Sequence, residues 1–148
     1  MRVVVQRALD AKCVVDGKIT GSITSGYVLL VGFTHTDTSN EINLLAKKIA
    51  GLRIFEDEAG KLNLSLKDVG GAILAISQFT LYADAKKGNR PSFTEAMRYD
   101  LACGCFNEFV EVLRGYGYQV ETGVFGADMK ISFTNVGPTT ILLDSDNL

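Results

Sequence analysis

The apolar residues of the chain fall into short blocks, one unbroken run and two helically spaced sets. Val3-Val4-Val5 opens a strand expected over Arg2 to Ala8. Asp16-Gly17 stands between "KCVV" and "KIT", which predicts a two-residue hairpin with both turn residues at positive φ. Tyr27 to Phe33, "YVLLVGF", is apolar at even and odd positions alike and predicts a strand covered on both faces. Ile42, Leu45, Ile49 and Leu52 recur at helical spacing behind Thr38 as N-cap, with Glu41 placed to complete a capping box and Gly51 as terminator. Arg53-Ile54-Phe55 and Leu62-Asn63-Leu64 predict short strands around the turn "EDEAGK". Gly70-Gly71 precedes an apolar strand that runs into residues 75–84, "AISQFTLYAD". A polar stretch, "AKKGNRPSF", separates it from a second helix marked by Phe106, Phe109, Val110 and Leu113 and closed by Gly115 and Gly117. Three last strands are expected near Gln119 to Phe125, Met129 to Thr134 and Thr140 to Leu143. Strands dominate and two helices remain. The pattern predicts an α/β sandwich, a helical layer over a mixed or antiparallel sheet system, without giving the strand order.

Length and composition narrow the class. At 148 residues, 47% hydrophobic and 2 Pro, the chain suits one domain over 1–148 with a sizeable core. No apolar run approaches the length of a membrane span. The N-terminal apolar block is too short for a secretory core, and no small-residue cleavage site follows it. Three cysteines, Cys13, Cys103 and Cys105, cannot all pair internally, which fits a reducing compartment, so the cytoplasm is the expected location. Cys103 and Cys105 form a C-x-C that reads either as half a metal site or as small side chains in a helix. A single histidine and the lack of a second cysteine pair favour the helix, and neither a metal nor a cofactor is expected. The net charge of −2 lacks the basic signature of a protein that grips long nucleic acid, leaving room only for a local patch.

Familiar catalytic sets are missing. His35 is the sole histidine and sits in "FTHTDT" beside the first helix, where a loop role outweighs catalysis. No HExxH, no P-loop and no G-x-S-x-G occurs. In "GGAILAIS" the glycines precede a strand, unlike a dinucleotide fingerprint. Glu56-Asp57-Glu58 is better read as a solvated turn than as a cation site. Met129, taken alone, reads as core. An enzyme built this way must lean on backbone donors and on its own substrate.

One segment stands out. Ser77, Gln78 and Thr80 lie among large apolar side chains, where polar groups need partners. In a regular strand Gln78 and Thr80 share one face and Ser77 and Phe79 the other, but the segment is expected to bend at a sheet end and present its N–H groups. Ser77-Gln78-Phe79-Thr80-Leu81-Tyr82, together with Asn135-Val136-Gly137-Pro138-Thr139-Thr140, resembles the D-aminoacyl-tRNA deacylases, whose signatures are S-Q-F-T-L and N-x-G-P-x-T. The likeness covers nearly the whole chain, including "VVVQRAL", "GLRIFEDEAGKLNLS", "KKGNRPSF" and "TGVFGADMKISF". Val136 and Thr139 occupy variable motif positions, and "TEAMRYDLACGCFNEF", residues 94–109, is the least family-like stretch. Ser77 and Phe79 place the chain on the D-specific side rather than with the branch that carries Pro-Gln.

The resemblance implies an α/β homodimer with a site at the subunit interface. It implies hydrolysis of the ester between a D-amino acid and the terminal ribose of tRNA. Gly137-Pro138 would be a cis pair reaching into the partner's pocket, fixed by Arg7. Met129 would line the pocket, and Ser77, Gln78, Phe79 and Thr80 would face the adenosine and the ester. Two fixed carbonyls would hold the α-ammonium, so that Cβ of one enantiomer meets space and that of the other meets backbone. Glycine, lacking Cβ, should pass the same filter. Phe79 could pack on adenine. Thr80 is the one tempting nucleophile, but no base stands near it in sequence, so water assisted by the ribose 2′-OH is the expected attacker. Lys86, Lys87 and Arg90, with Arg98 as an extension, would contact the tRNA end. Two other readings compete: a non-catalytic nucleic-acid-binding module, and a dimerisation domain whose Gly-Pro only seals an interface.

Overall fold

The computed structural model describes residues Met1–Leu148 throughout. Strands β1 (Arg2–Val15) and β2 (Lys18–Gly32) form one long antiparallel hairpin. Its turn is the expected one, with Asp16 at φ 49° and Gly17 at φ 76°. From β2 the chain passes through α1 (Ser39–Gly51) and the small hairpin β3 (Phe55–Glu56) and β4 (Leu62–Leu64) to β5 (Ala72–Ser77). It then crosses through α2 (Tyr99–Gly115) to β6 (Val120–Thr122) and ends in β7 (Lys130–Asp144). The main sheet has the order β6-β5-β2-β1-β7. The β2–β5 and β5–β6 pairs are parallel, whereas β1 pairs antiparallel with both β2 and β7. A parallel pair needs a crossover, and helices supply both. Both crossovers step the same way along the sheet, so a common right hand puts α1 and α2 on one face.

The apolar pattern accounts for both faces. Val3, Val5, Leu29, Val31, Ile73 and Ala75 meet the buried faces of α1 and α2 in the main core. On the reverse face Val28, Leu74 and Ile76 join Ala11, Cys13 and Ile23 in a second cluster, against which Met129 packs. This is why Tyr27 to Phe33 shows no polar alternation.

The capping box forms as expected. Thr38 Oγ1 accepts from Asn40 N–H at 3.2 Å, while the Glu41 carboxylate accepts from Thr38 N–H at 2.7 Å. The Thr38 hydroxyl, which donates to the same carboxylate at 2.7 Å, and then the Thr38 N–H hold the Glu41 carboxyl below its usual range. Thr38→Ala should cost about 1 kcal/mol, typical for a lost N-cap, and lower Tm by roughly 2–4 °C in a thermal melt. A melt unchanged within a degree would show that the cap contributes nothing.

Four strands differ from expectation, the smallest change being β3, which begins at Phe55 rather than Arg53. β1 runs on to Val15, because Asp10 at φ 50° absorbs a register shift against β7 and lets pairing continue. The two strands expected after Met129 are a single strand, β7, interrupted by a bulge. β6 is only Val120–Thr122. Gly26 begins the parallel pairing with Ala72 at φ 140°, and a Cβ there would lie 1.8 Å from the Ala72 carbonyl oxygen. Only glycine permits that close approach.

Candidate active site

The apolar strand that ends "AISQFTLY" is a strand only as far as Ser77. Gln78 N–H donates to Val31 O at 2.7 Å as a last ladder bond. Phe79–Tyr82 then fold into a 3₁₀ turn, closed by Leu81 N–H to Gln78 O at 3.4 Å and Ala83 N–H to Thr80 O at 3.0 Å. Gly32 makes room for the turn, since a Cβ there would stand 2.8 Å from Gln78 O. The Phe79 and Thr80 N–H groups come first in the turn and have no acceptor within it. The Gln78 side-chain amide donates to Thr80 Oγ1. Arg2 clamps the far side of the turn. Its Nη1 donates to Leu81 O at 2.9 Å, its Nε to Asp144 Oδ2 at 2.8 Å, and its guanidinium lies over the Tyr82 ring. Burial pushes the Asp144 carboxyl up, but the Arg2 and Asp146 hydrogen bonds outweigh it and leave the group below the usual range.

Ser77, Gln78 and Phe79 line a cavity of about 580 Å³ whose wall includes Met129. Met129 reaches it because Gly123 has no Cβ, which would come 2.4 Å from the Met129 sulfur. Three aromatic residues that the sequence did not single out complete the wall. Phe93 meets Phe79 edge-on with centroids 5.1 Å apart, and Tyr99 meets Phe125 likewise at 5.1 Å. The family-like "KKGNRPSF" and "TGVFGADMKISF" contained the signals for Phe93 and Phe125; nothing in sequence marked Tyr99.

A second constellation lies on β7, at the sheet edge. Gln6 pairs with Thr140 and Ala8 with Asn135, so Val136, Gly137, Pro138 and Thr139 stand against Arg7 alone. The Gly137–Pro138 bond is cis, with Gly137 at φ 117°. Arg7, only 6% exposed, donates from Nε to Val136 O at 3.2 Å and from Nη1 to Ile54 O at 3.1 Å. Thr140 Oγ1 donates to Pro138 O and accepts from the Asn135 amide, both at 3.1 Å. Arg7, Gly137 and Pro138 do not line the cavity that holds Ser77 and Gln78. Within one chain, the predicted site residues therefore fall into two separate groups.

Residues 4–144 match the family described as D-Tyr-tRNA(Tyr) deacylase. The chain belongs to that family. A D-aminoacyl-tRNA deacylase of Anoxybacillus flavithermus is 58% identical over 145 residues, covering 98% of this chain and 99% of that protein. One from Thermus aquaticus is 54% identical, covering 98% and 95%. The solved structure of a c-Myc DNA unwinding element binding protein superposes with a TM-score of 0.91 at 40% identity, covering 97% of this chain and 98% of that one. The chain is thus an enzyme of the hydrolase class, with the mixed α/β fold of the deacylases.

The remaining candidates take distinct places in the deacylase fold. Thr80 is exposed and does not line the cavity. Lys86, Lys87 and Arg90 are exposed on a loop whose base is the Asp84–Ser92 bridge. His35 is held at 2.7 Å from Thr94 O in an exposed loop, the role expected of it. Asp57 accepts from the Ala59 and Lys61 N–H groups and so belongs to a turn. Cys103 and Cys105 lie on α2, with Cys105 Sγ 3.7 Å from Met97 Sδ. No helix is long and apolar enough to cross a membrane.

Proposed function

We propose that residues 1–148 act as one domain that hydrolyses the ester of D-aminoacyl-tRNA, releasing the D-amino acid and tRNA, in a homodimer whose subunits complete each other's sites. The observation that carries this reading is the separation of the two groups within one chain. The cavity with Ser77, Gln78, Phe79 and Met129 belongs to one place on the chain, and the Gly137–Pro138 bulge to another. A second copy brings the bulge of one subunit to the cavity of its partner.

Roles follow from chemistry. Phe79 stacks on the terminal adenine. Phe79 and Thr80 N–H groups face the ester oxygen as charge develops on it, where fixed donors are most effective. Ser77 and Gln78 hold the strand end in shape and meet the ribose. The carbonyls of the bulge receive the substrate ammonium. Pro138 O already accepts from Thr140, but a carbonyl has two lone pairs and one is left. With the ammonium fixed, an L side chain runs into backbone and a D side chain points outward. Arg7 keeps the bulge in place, Met129 shapes the pocket wall, and Lys86, Lys87 and Arg90 attract the phosphates of the acceptor end. Water attacks with help from the ribose 2′-OH; Thr80 hydroxyl has no base beside it and serves Gln78 instead.

The test is single-turnover hydrolysis of D-tyrosyl-, L-tyrosyl- and glycyl-tRNA by wild type and Thr80→Ala. D-Tyrosyl- and glycyl-tRNA should be cleaved, L-tyrosyl-tRNA spared, and Thr80→Ala should retain turnover within about ten-fold. That margin is far smaller than the losses of about 10⁴-fold or more seen when a true nucleophile is removed. Equal cleavage of both enantiomers would refute the wedge, and an inert Thr80→Ala that still binds tRNA would make Thr80 the nucleophile.

A second reading takes its support from the 40%-identical solved structure, whose name is that of a protein binding a DNA element. The net charge of −2 opposes it here. Retention of generic duplex DNA in a filter-binding assay, with no hydrolysis of any ester, would favour it.

A further inference from the structure

We propose that Tyr99 is a stacking platform for the nucleotide preceding the terminal adenosine of the bound RNA, a subsite just outside the cavity. The inference rests on the deacylase reading and extends it by one nucleotide.

Its basis is an aromatic ring that is both fixed and uncovered. Tyr99 opens α2 and lines the cavity, yet it is 65% exposed, which places it on the rim. Exposed side chains ordinarily keep their rotamer freedom. This one does not. Its hydroxyl donates to Phe125 O at 3.3 Å, and its ring meets Phe125 edge-on at 67°. The ring also lies against Gly126, where a Cβ would come 2.4 Å from the Tyr99 Cε2. Phe125 in turn stands 6.0 Å from Phe106 of the main core. The ring is therefore ordered before any ligand arrives, which removes a cost of binding.

The chemistry around the ring selects the occupant. A second edge-on pair, Phe79 and Phe93, lines the same cavity, and Phe79 is 57% exposed. Successive exposed aromatics are how proteins hold single-stranded nucleic acid, because every base offers a π-face. Cations accompany them. Arg98 precedes Tyr99 and is tied only to Asp100 by an exposed ion pair at 3.1 Å. Such a pair contributes little, so the guanidinium is available to a phosphate. The loop with Lys86, Lys87 and Arg90 rejoins the fold at Ser92, next to Phe93. Phe93 is already engaged edge-on with Phe79, so with Phe79 on the terminal adenine Tyr99 is the most exposed aromatic ring left on the cavity wall. It also lies in the stretch least like the family, which makes this grip a property of this chain.

The experiment compares D-tyrosyl-tRNA with D-tyrosyl-adenosine, which lacks the preceding nucleotide. For Tyr99→Ala, KM for the tRNA ester should rise about ten-fold at unchanged kcat, the loss expected for one base–aromatic stack. KM for the adenosine ester should not change, and Tyr99→Phe, which keeps the ring, should stay near wild type. Wild-type protein given D-tyrosyl-tRNA abasic at the penultimate nucleotide should show the same rise in KM, and Tyr99→Ala should add nothing to it. Equal losses on both esters, no loss on either, or a further loss on the abasic tRNA would overturn the proposal. If wild type cleaves neither ester, the deacylase reading falls and the subsite with it. If wild type cleaves both and Tyr99→Ala is silent, the subsite alone falls.

Discussion

Gly137→Ala should lower kcat/KM for D-aminoacyl-tRNA by about 100-fold or more while leaving the protein folded. Gly137 sits at φ 117°, a region L side chains rarely adopt. A Cβ there would lie 2.5 Å from Thr139 Oγ1 and 2.6 Å from Thr139 N. The hydroxyl can rotate away, but the backbone nitrogen cannot. The segment from Val136 to Thr139 must therefore move as a unit, and with it the carbonyls proposed to hold the ammonium. A misplacement of ~1 Å in a positioning element costs about 100-fold. The sheet is spared, because Gln6–Thr140 and Ala8–Asn135 pair on either side of the bulge. Steady-state kinetics on D-tyrosyl-tRNA, with a thermal melt alongside, checks both halves. Wild-type turnover in the variant would remove the bulge from the site.

Arg7→Met should destabilise the protein by about 2–3 kcal/mol and reduce turnover to a similar degree. Methionine keeps the apolar stem but loses the guanidinium that lies over the Phe55 ring. It removes the donors to Val136 O and Ile54 O, one of them in a buried bond. Hydrogen bonds from a charged donor contribute roughly 1.5–3 kcal/mol, and a carbonyl left buried without a partner costs a comparable amount. Arg7→Lys should not rescue, because one ammonium on a flexible stem cannot reproduce a planar fork that reaches two carbonyls on different elements. Urea titration gives the stability change from the midpoint at constant slope. Combined with Gly137→Ala, the loss of activity should be less than multiplicative, since both variants displace one segment. Full multiplicativity would mean that Arg7 acts elsewhere.

Much of this was legible in the sequence, for identifiable reasons. Asp16-Gly17 fixed its hairpin because few residues accept two successive positive φ values. Thr38 and Glu41 fixed the start of α1 because their bonds are local. Tyr27 to Phe33 announced burial on both faces, and the sheet order explains why: β2 is the central strand. Failures came where a distant partner decides the outcome. The bend after Ser77 was expected but not its form: no ladder partner continues beyond Val31, and "FTLY" closes into a 3₁₀ turn. Residues 135–140 look like a break between strands, yet β1 supplies partners on both sides and the strand resumes. For the candidate site, local motifs pointed to Ser77 to Phe79, which share one cavity wall, and to Gly137-Pro138, which lies apart from it. Tyr99 was silent, because its meeting with Phe125 depends on how the loop after β6 packs against the start of α2.

The tight crossing of Gly26 and Ala72 has a consequence far from where it sits. Parallel pairing counts upward from that point, Gly26 to Ala72 and on to Val31 with Ser77. The crossing thus works as the zero mark of a ruler whose last graduation is the place where β5 gives way to the turn. Any larger residue at 26 would force the two backbones apart at the origin and miscalibrate the far end, shifting Ser77 and Gln78 without touching them. Loss of activity after such a change would be an error of measurement, transmitted along a stiff strand, in a protein whose reactive parts were all still present.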